Sequence, residues 1–152
     1  MAPLRSDDAA RGRPPGKFLI DVTDARFSIP ENADVLAFIR RKNPFAHSDV
    51  GSLLFDLARD AEDVSAYCPA PRSMAYVVLH TPAHLIVAIA FDMRGLAFRL
   101  AALDRAAAIA EGASPAPDIG DAWVRVDPFD PDRRDMPQWL VRLRNAATRA
   151  NI

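Results

Sequence analysis

The chain has 152 residues and a mass of 16.6 kDa; half of the residues are hydrophobic, 26% are charged, and the formal net charge is −1. That is the size and balance of one globular domain, which buries about two-thirds of its unfolded surface. The near-zero net charge excludes a generic nucleic-acid or anionic-membrane binder, because both need concentrated positive charge, and a lone cysteine, Cys68, excludes an internal disulfide.

Residues 1–16 (MAPLRSDDAARGRPPG) mix Asp7 and Asp8 with arginines and have no apolar core. They read as a flexible N-terminal tail, neither a secretory signal nor a membrane anchor, and residues 17–152 read as a single domain. The closest approach to a membrane span, Ala75 to Phe91, is interrupted by His80, Thr81, Pro82 and His84. Nothing asks for an oxidising compartment, so a cytoplasmic location is expected.

Phe18 to Val22 is predicted as a strand, with Arg26 to Ile29 as a short partner. Between Pro30 and Lys42, Val35, Leu36, Phe38 and Ile39 recur at helical spacing, and Asn43-Pro44 ends that helix. The next helix opens at Ser48 or Asp49, either of which can cap it. Val50, Leu53, Leu54, Leu57, Ala61 and Val64 then fall in an arc of roughly 100°. Asp56, Arg59, Asp60, Glu62 and Asp63 take the wet side. Phe55 projects among these charges, as an isolated exposed aromatic or as a candidate interface with a partner or subunit. Tyr67 to Ser73 reads as a loop, in which Cys68 has no activating base beside it in the sequence.

Met74 to Leu100 carries the strongest pattern, three short apolar strands joined by two tight turns. A three-residue loop at Thr81–Ala83 pairs Leu79 with Leu85, Val77 with Val87 and Ala75 with Ile89. The second turn pairs Phe91 with Leu96 and Ile89 with Phe98. One face then carries Val77, Leu79, Leu85, Val87, Ile89, Phe91, Leu96, Phe98 and Leu100. The other presents an alanine floor (Ala88, Ala90, Ala97) bordered by Tyr76, His80, His84 and Arg99. Two readings of this second face stand open. It is a shallow pocket in which Arg99 grips an anionic small molecule, or its small residues let a helix or second subunit pack closely.

Leu103, Ala106, Ala107 and Ala110 line one side of a short helix closed by Gly112. A strand follows at Ala122 to Val126. The last helix starts near Asp135 and runs towards Ala150, with Trp139, Leu140, Leu143, Ala146 and Ala147 as its buried stripe. Arg142, Asn145 and Arg149 are expected on the opposite side.

Catalytic motifs are sparse. No Gly-rich phosphate loop, CxxC, HExxH or GxSxG is present. His80 and His84 could face each other across a hairpin, but a tight metal site needs a third and fourth ligand, so no metal and no cofactor are expected. No catalytic residue is assigned. The aspartates Asp118, Asp121, Asp127, Asp130, Asp132 and Asp135 lack EF-hand spacing and sit beside turn residues. The order of meander, short helix, Trp-bearing strand and terminal helix resembles small α+β domains of the MmcQ/YjbR kind over Met74 to Ala150, in layout alone and with no shared motif.

The expected fold is α+β, an antiparallel sheet of four to six strands with helices packed chiefly on one face. The expected function is that of a small non-enzymatic protein that binds a protein partner or its own copy. An anionic-ligand binder or enzyme using Tyr76, His80, His84 and Arg99 is the alternative. A DNA-associated regulator using the arginines of the last helix, Arg142 and Arg149 among them, is weaker still.

Overall fold

Strand-period and helix-period segments alternate along the chain, and the apolar side of each must find cover. The computed structural model describes residues 25–69, 75–129 and 136–149. The tail at 1–16, the strand expected at Phe18 to Val22, and Met74, Asp130, Asp132, Arg133, Arg134 and Asp135 lie outside the described residues. Among the described residues, six strands form one antiparallel sheet in the order β1-β2-β3-β4-β6-β5. They are β1 (Ser65–Tyr67), β2 (Val77–His80), β3 (Ile86–Phe91), β4 (Gly95–Arg99), β5 (Ser114–Pro115) and β6 (Trp123–Arg125). Four α-helices accompany them: α1 (Ala33–Lys42), α2 (Ser48–Arg59), α3 (Ala102–Ala110) and α4 (Met136–Arg149). The protein is α+β with an antiparallel sheet.

Both sides of the sheet are covered. Buried side chains of α2, α3 and α4 form one cluster with Val77, Leu79, Ala88, Ala90, Leu96, Phe98 and Val124. Buried side chains of α1 form the other, with Phe27, Tyr76, Val78, Ile86, Ile89, Phe91, Ala97 and Trp123. Trp139 of α4 stacks on Phe98 at 4.3 Å, while Phe91 meets Phe38 of α1 edge-on at 5.1 Å.

These clusters overturn the expected register. Ile89 and Phe98 lie on opposite sides, because Leu79 pairs with Ala88 while His80 pairs with Ile86. Val87 is therefore an extra residue, a β-bulge, and it shares a face with Ala88. Beyond it the parity of β3 is reversed. Ile89 and Phe91 turn to α1, and Ala88 and Ala90 turn to α2. The second connection answers with three residues, Asp92 at φ 56° followed by Met93 and Arg94, pairing Phe91 with Gly95 and Ala88 with Phe98. The faces expected for β2 and β4 are those observed; only the later part of β3 is inverted. The alanine floor consequently dissolves.

Local differences have local causes. Arg26 to Ile29 forms no strand; Ala25–Phe27 is a 3-10 turn in which Ser28 N–H donates to Ala25 O at 3.1 Å and Phe27 reaches the core. A second 3-10 turn, Pro30–Asn32, leads into α1, which stops where Asn43 adopts a left-handed φ of 43°. The cap of α2 is His47, neither Ser48 nor Asp49: its Nδ1 accepts from Asp49 N–H at 3.2 Å. Tyr67, read as the first residue of a loop, is the last residue of β1 and pairs with Val78 of β2.

On α3 the expected stripe faces outwards. Leu103 is 78% exposed, Ala106, Ala107 and Ala110 are exposed, and Ala108 is buried instead. The helix is turned by its polar flank, where Asn145 of α4 donates to Asp104 at 3.0 Å and Arg105 donates to Leu100 O at 3.0 Å. Gly112, at φ 108°, closes it. For the same reason Arg142 is not on the solvent side: it is 4% exposed, bonded to Glu111 at 2.7 Å and laid over the Trp139 ring.

Candidate functional site

The β2–β3 hairpin and the end of β4 bring Tyr76, His80, His84 and Arg99 to the α1 side of the sheet. The hairpin is clasped by Thr81, whose N–H donates to Leu85 O at 3.0 Å and whose Oγ1 accepts from Leu85 N–H at 3.1 Å. His84 sits at a left-handed φ of 71°, with its ring 5.7 Å from that of His80. Phe27 stands edge-on to both imidazoles, and Arg26 lies over the rings of Phe27 and Tyr67. Tyr76 and His80 are buried beneath this cover. The face read as a pocket is a closed layer.

His80 is held neutral by its surroundings. Burial lowers its pKa below the ordinary 6.5, opposed by the hydrogen bond from Nδ1–H to Thr81 O at 2.9 Å, and the charges of His84 and Arg26 lower it further. A buried imidazole beside an arginine is poorly placed to collect a proton.

Arg99 is already engaged. Nε donates to Ile86 O at 3.0 Å, and Nη2 donates to Glu31 O at 2.8 Å and to Asp34 Oδ1 at 3.0 Å. The guanidinium lies 5.1 Å from the Trp123 ring centre, and Trp123 Nε1 donates to Asp34 Oδ2 at 3.2 Å. A Cβ on Gly120 would collide with the Asp34 carboxylate, so any larger residue in the loop before β6 would push that carboxylate aside. Burial lowers the Arg99 pKa, and Asp34 works against that. At Nε and Nη2 an anion would have to compete with Asp34 and two backbone carbonyls.

The residue that stitches this layer together is one sequence reasoning missed. Asn32 is fully buried; Nδ2 donates to Phe27 O at 2.9 Å and His84 O at 2.8 Å, and Oδ1 accepts from Ile86 N–H at 2.9 Å. Its hydrogen-bonding partners at His84 and Ile86 are 52 and 54 residues away, so nothing local announces them.

The open concavity lies on the other side of the sheet. A groove of about 270 Å³ runs beside α2, lined by Ala46, His47, Gly51, Phe55, Cys68 and Val77 among others. Its lining is chiefly apolar. Beside it α2 seats closely on the start of β2, where a Cβ on Gly51 would stand 3.1 Å from Val77 Cγ2. The preceding loop is tied to the sheet: Phe45 bridges Ala75, Ala46 bridges Asp92, and His47 N–H donates to Asp92 O at 2.9 Å. Cys68 donates from Sγ to Ala75 O at 3.8 Å across the groove's far wall. Phe55, singled out from the sequence, lines this groove and is 45% exposed; Phe45, which was not, is 44% exposed nearby.

The arginines of α4 are largely engaged within the fold, Arg142 with Glu111 and Arg144 with Asp63 at 2.8 Å. Arg149 borders a polar recess of about 190 Å³ between α3 and α4. Among the described residues no group of three or more His, Cys, Asp or Glu side chains is placed to hold a metal ion, and no helix is long and apolar enough to cross a membrane. No protein-family model, curated protein or solved structure matches the chain significantly. The likeness in layout to small α+β domains therefore assigns no residue a role.

Proposed function

We propose that this protein acts in the cytoplasm, without catalysis, by binding a protein chain through the apolar groove beside Phe55. The observation that carries the reading is the pairing of a preformed, chiefly apolar recess with the half-exposed ring of Phe55 in its wall, on a helix whose outer side is otherwise charged. Hydrophobic side chains left partly wet beside a concave apolar lining gain most by receiving an apolar anchor from a partner. The anionic-ligand reading has less in its favour, since Arg99 already serves Ile86, Glu31 and Asp34.

Amide NMR titration with indole and with N-acetylphenylalanine amide tests the reading. The expected result is a saturable shift at Gly51, Ser52 and Val77, with a dissociation constant on the order of 1 mM, as suits a single apolar anchor. Phe55→Asp should weaken it. Shifts that avoid the groove, or that cluster around Arg99 instead, would overturn the proposal.

A further inference from the structure

Phe27 covers the α1 side of the sheet from a short turn. Its ring is buried against Tyr67, His80 and His84, and its carbonyl accepts from Asn32 Nδ2 at 2.9 Å. Asn32 has its own hold on the hairpin, through His84 O and Ile86 N–H. Residues Ala25–Ser28 can therefore lift away while Asn32 goes on joining α1 to the hairpin. A segment fastened by a few side-chain contacts opens at a free energy well below that of global unfolding.

What lies under the Phe27 ring is basic. His80 donates Nδ1–H to Thr81 O, so a further proton enters at Nε2, which makes no hydrogen bond among the described residues. The His84 ring stands 5.7 Å away on the hairpin turn, and Arg26 lies over Phe27 and Tyr67 on the covering turn itself. Both of these charges oppose a proton on His80. From β1 and from the residue before β2 come the rings of Tyr67 and Tyr76, which stay neutral well below their ordinary pKa of about 10. Beside α1, the Asp34 carboxylate is bonded to Arg99 and Trp123, and Glu31 acts on Arg99.

We propose that Ala25–Ser28 is an acid-released strap: a proton on His80 Nε2 drives Phe27 off the hairpin while the sheet and its helices stay folded. With the strap closed, burial holds the His80 pKa below 6.5. With the strap open the ring meets water and takes a proton at its ordinary pKa. Acid therefore favours the open form as pH falls through the interval from 6.5 to the lowered value, by up to about tenfold per pH unit. Release bares Phe27, Tyr67 and the two imidazoles, a second aromatic surface on the side of the sheet away from the groove. Neither the strap nor the groove depends on the other.

Native-state hydrogen exchange on the full chain from pH ~7.5 to ~5, corrected for intrinsic exchange, tests the proposal. Protection of the Ser28 amide, which donates to Ala25 O, should fall at least ~5-fold across that range. In low urea its exchange should be indifferent to denaturant, while that of β3 and β4 amides accelerates; this marks the opening as local. In NMR spectra the Phe27 ring signals should move with the midpoint at which the His80 ring titrates. His80→Asn should hold Ser28 protection within ~2-fold at every pH. His84→Asn, tolerated at a left-handed φ, removes one of the two like charges and should reduce the opening at low pH without abolishing it. A Ser28 amide indifferent to pH overturns the proposal, and so does one that follows urea as steeply as β3 and β4, or one that still responds to pH in His80→Asn. A His80 ring that titrates apart from the Phe27 signals overturns it in the wild type alone, whether or not the variants fold.

Discussion

Replacing Asn32 by alanine should cost about 3–5 kcal/mol, although the residue touches no candidate binding surface. The side chain is inaccessible to water and its amide serves three backbone groups at 2.8–2.9 Å: Phe27 O, His84 O and Ile86 N–H. Truncation leaves those groups buried without their partner. An orphaned buried group costs about 1–3 kcal/mol, and three of them, partly relieved by relaxation and by whatever water enters, give the range above. That is a large share of the roughly 5–15 kcal/mol available to a domain, and at about 2–4 °C per kcal/mol the midpoint should fall by ~10 °C. Urea unfolding of wild type and variant, with thermal melts alongside, measures it. Asn32→Asp sharpens the test. The carboxylate can still accept from Ile86 but repels the carbonyls of Phe27 and His84, so the loss should be at least as large at neutral pH and should shrink on acidification, when a protonated carboxyl regains a donor. A loss below about 1 kcal/mol for Asn32→Ala would refute the view that this amide fastens the segment before α1 to the hairpin.

Two further outcomes follow from the same layer. Arg99→Met should destabilise the fold by about 1–3 kcal/mol, because it removes the part-buried bonds to Ile86 O and Asp34 while Trp123 still donates to Asp34, and anionic metabolites should raise the melting temperature of neither protein; a wild-type shift lost in the variant would restore Arg99 as a ligand-binding residue. His80→Asn, which keeps a donor for Thr81 O, should flatten the pH dependence of stability. The folded pKa of His80 lies below 6.5, so on acidification the unfolded chain takes the proton first, and stability falls as pH drops through the interval from 6.5 to the lowered value. Melting curves from pH ~7.5 to ~5 with equal slopes in wild type and variant would contradict this.

The legible part of the fold was the part where residue size alternates. In β4 large apolar residues alternate with small or polar ones, and α1, α2 and α4 carry stripes of Val, Leu, Ile, Phe and Trp that enter the core. The stretch Ile86 to Phe91 is apolar at every position, so period two has nothing to register against, and the extra residue at Val87 leaves no mark in the sequence. On α3 alanines occupy both sides, and polar contacts of Asp104, Arg105 and Glu111 decided which side faces in. The candidate residues Tyr76, His80, His84 and Arg99 were correctly grouped on one face, but that face is covered by α1 and by the Phe27 turn, whose contacts are non-local. Phe55 was visible as an aromatic among charges. Its companions in the groove, Ala46, Cys68 and Val77, come from a loop, a strand end and a strand, and no spacing rule joins them.

The unpaired residue in β3 acts at a distance through size alone. By sending the bulky Ile89 and Phe91 one way and the slim Ala88 and Ala90 the other, it assigns a thick spacer to α1 and a thin one to α2. On the thin side Gly51 of α2 nearly meets Val77, and the groove lies beside that contact. One extra amino acid in the middle strand thus goes with a division of side-chain width between the two layers, broad beneath one helix and narrow beneath the other.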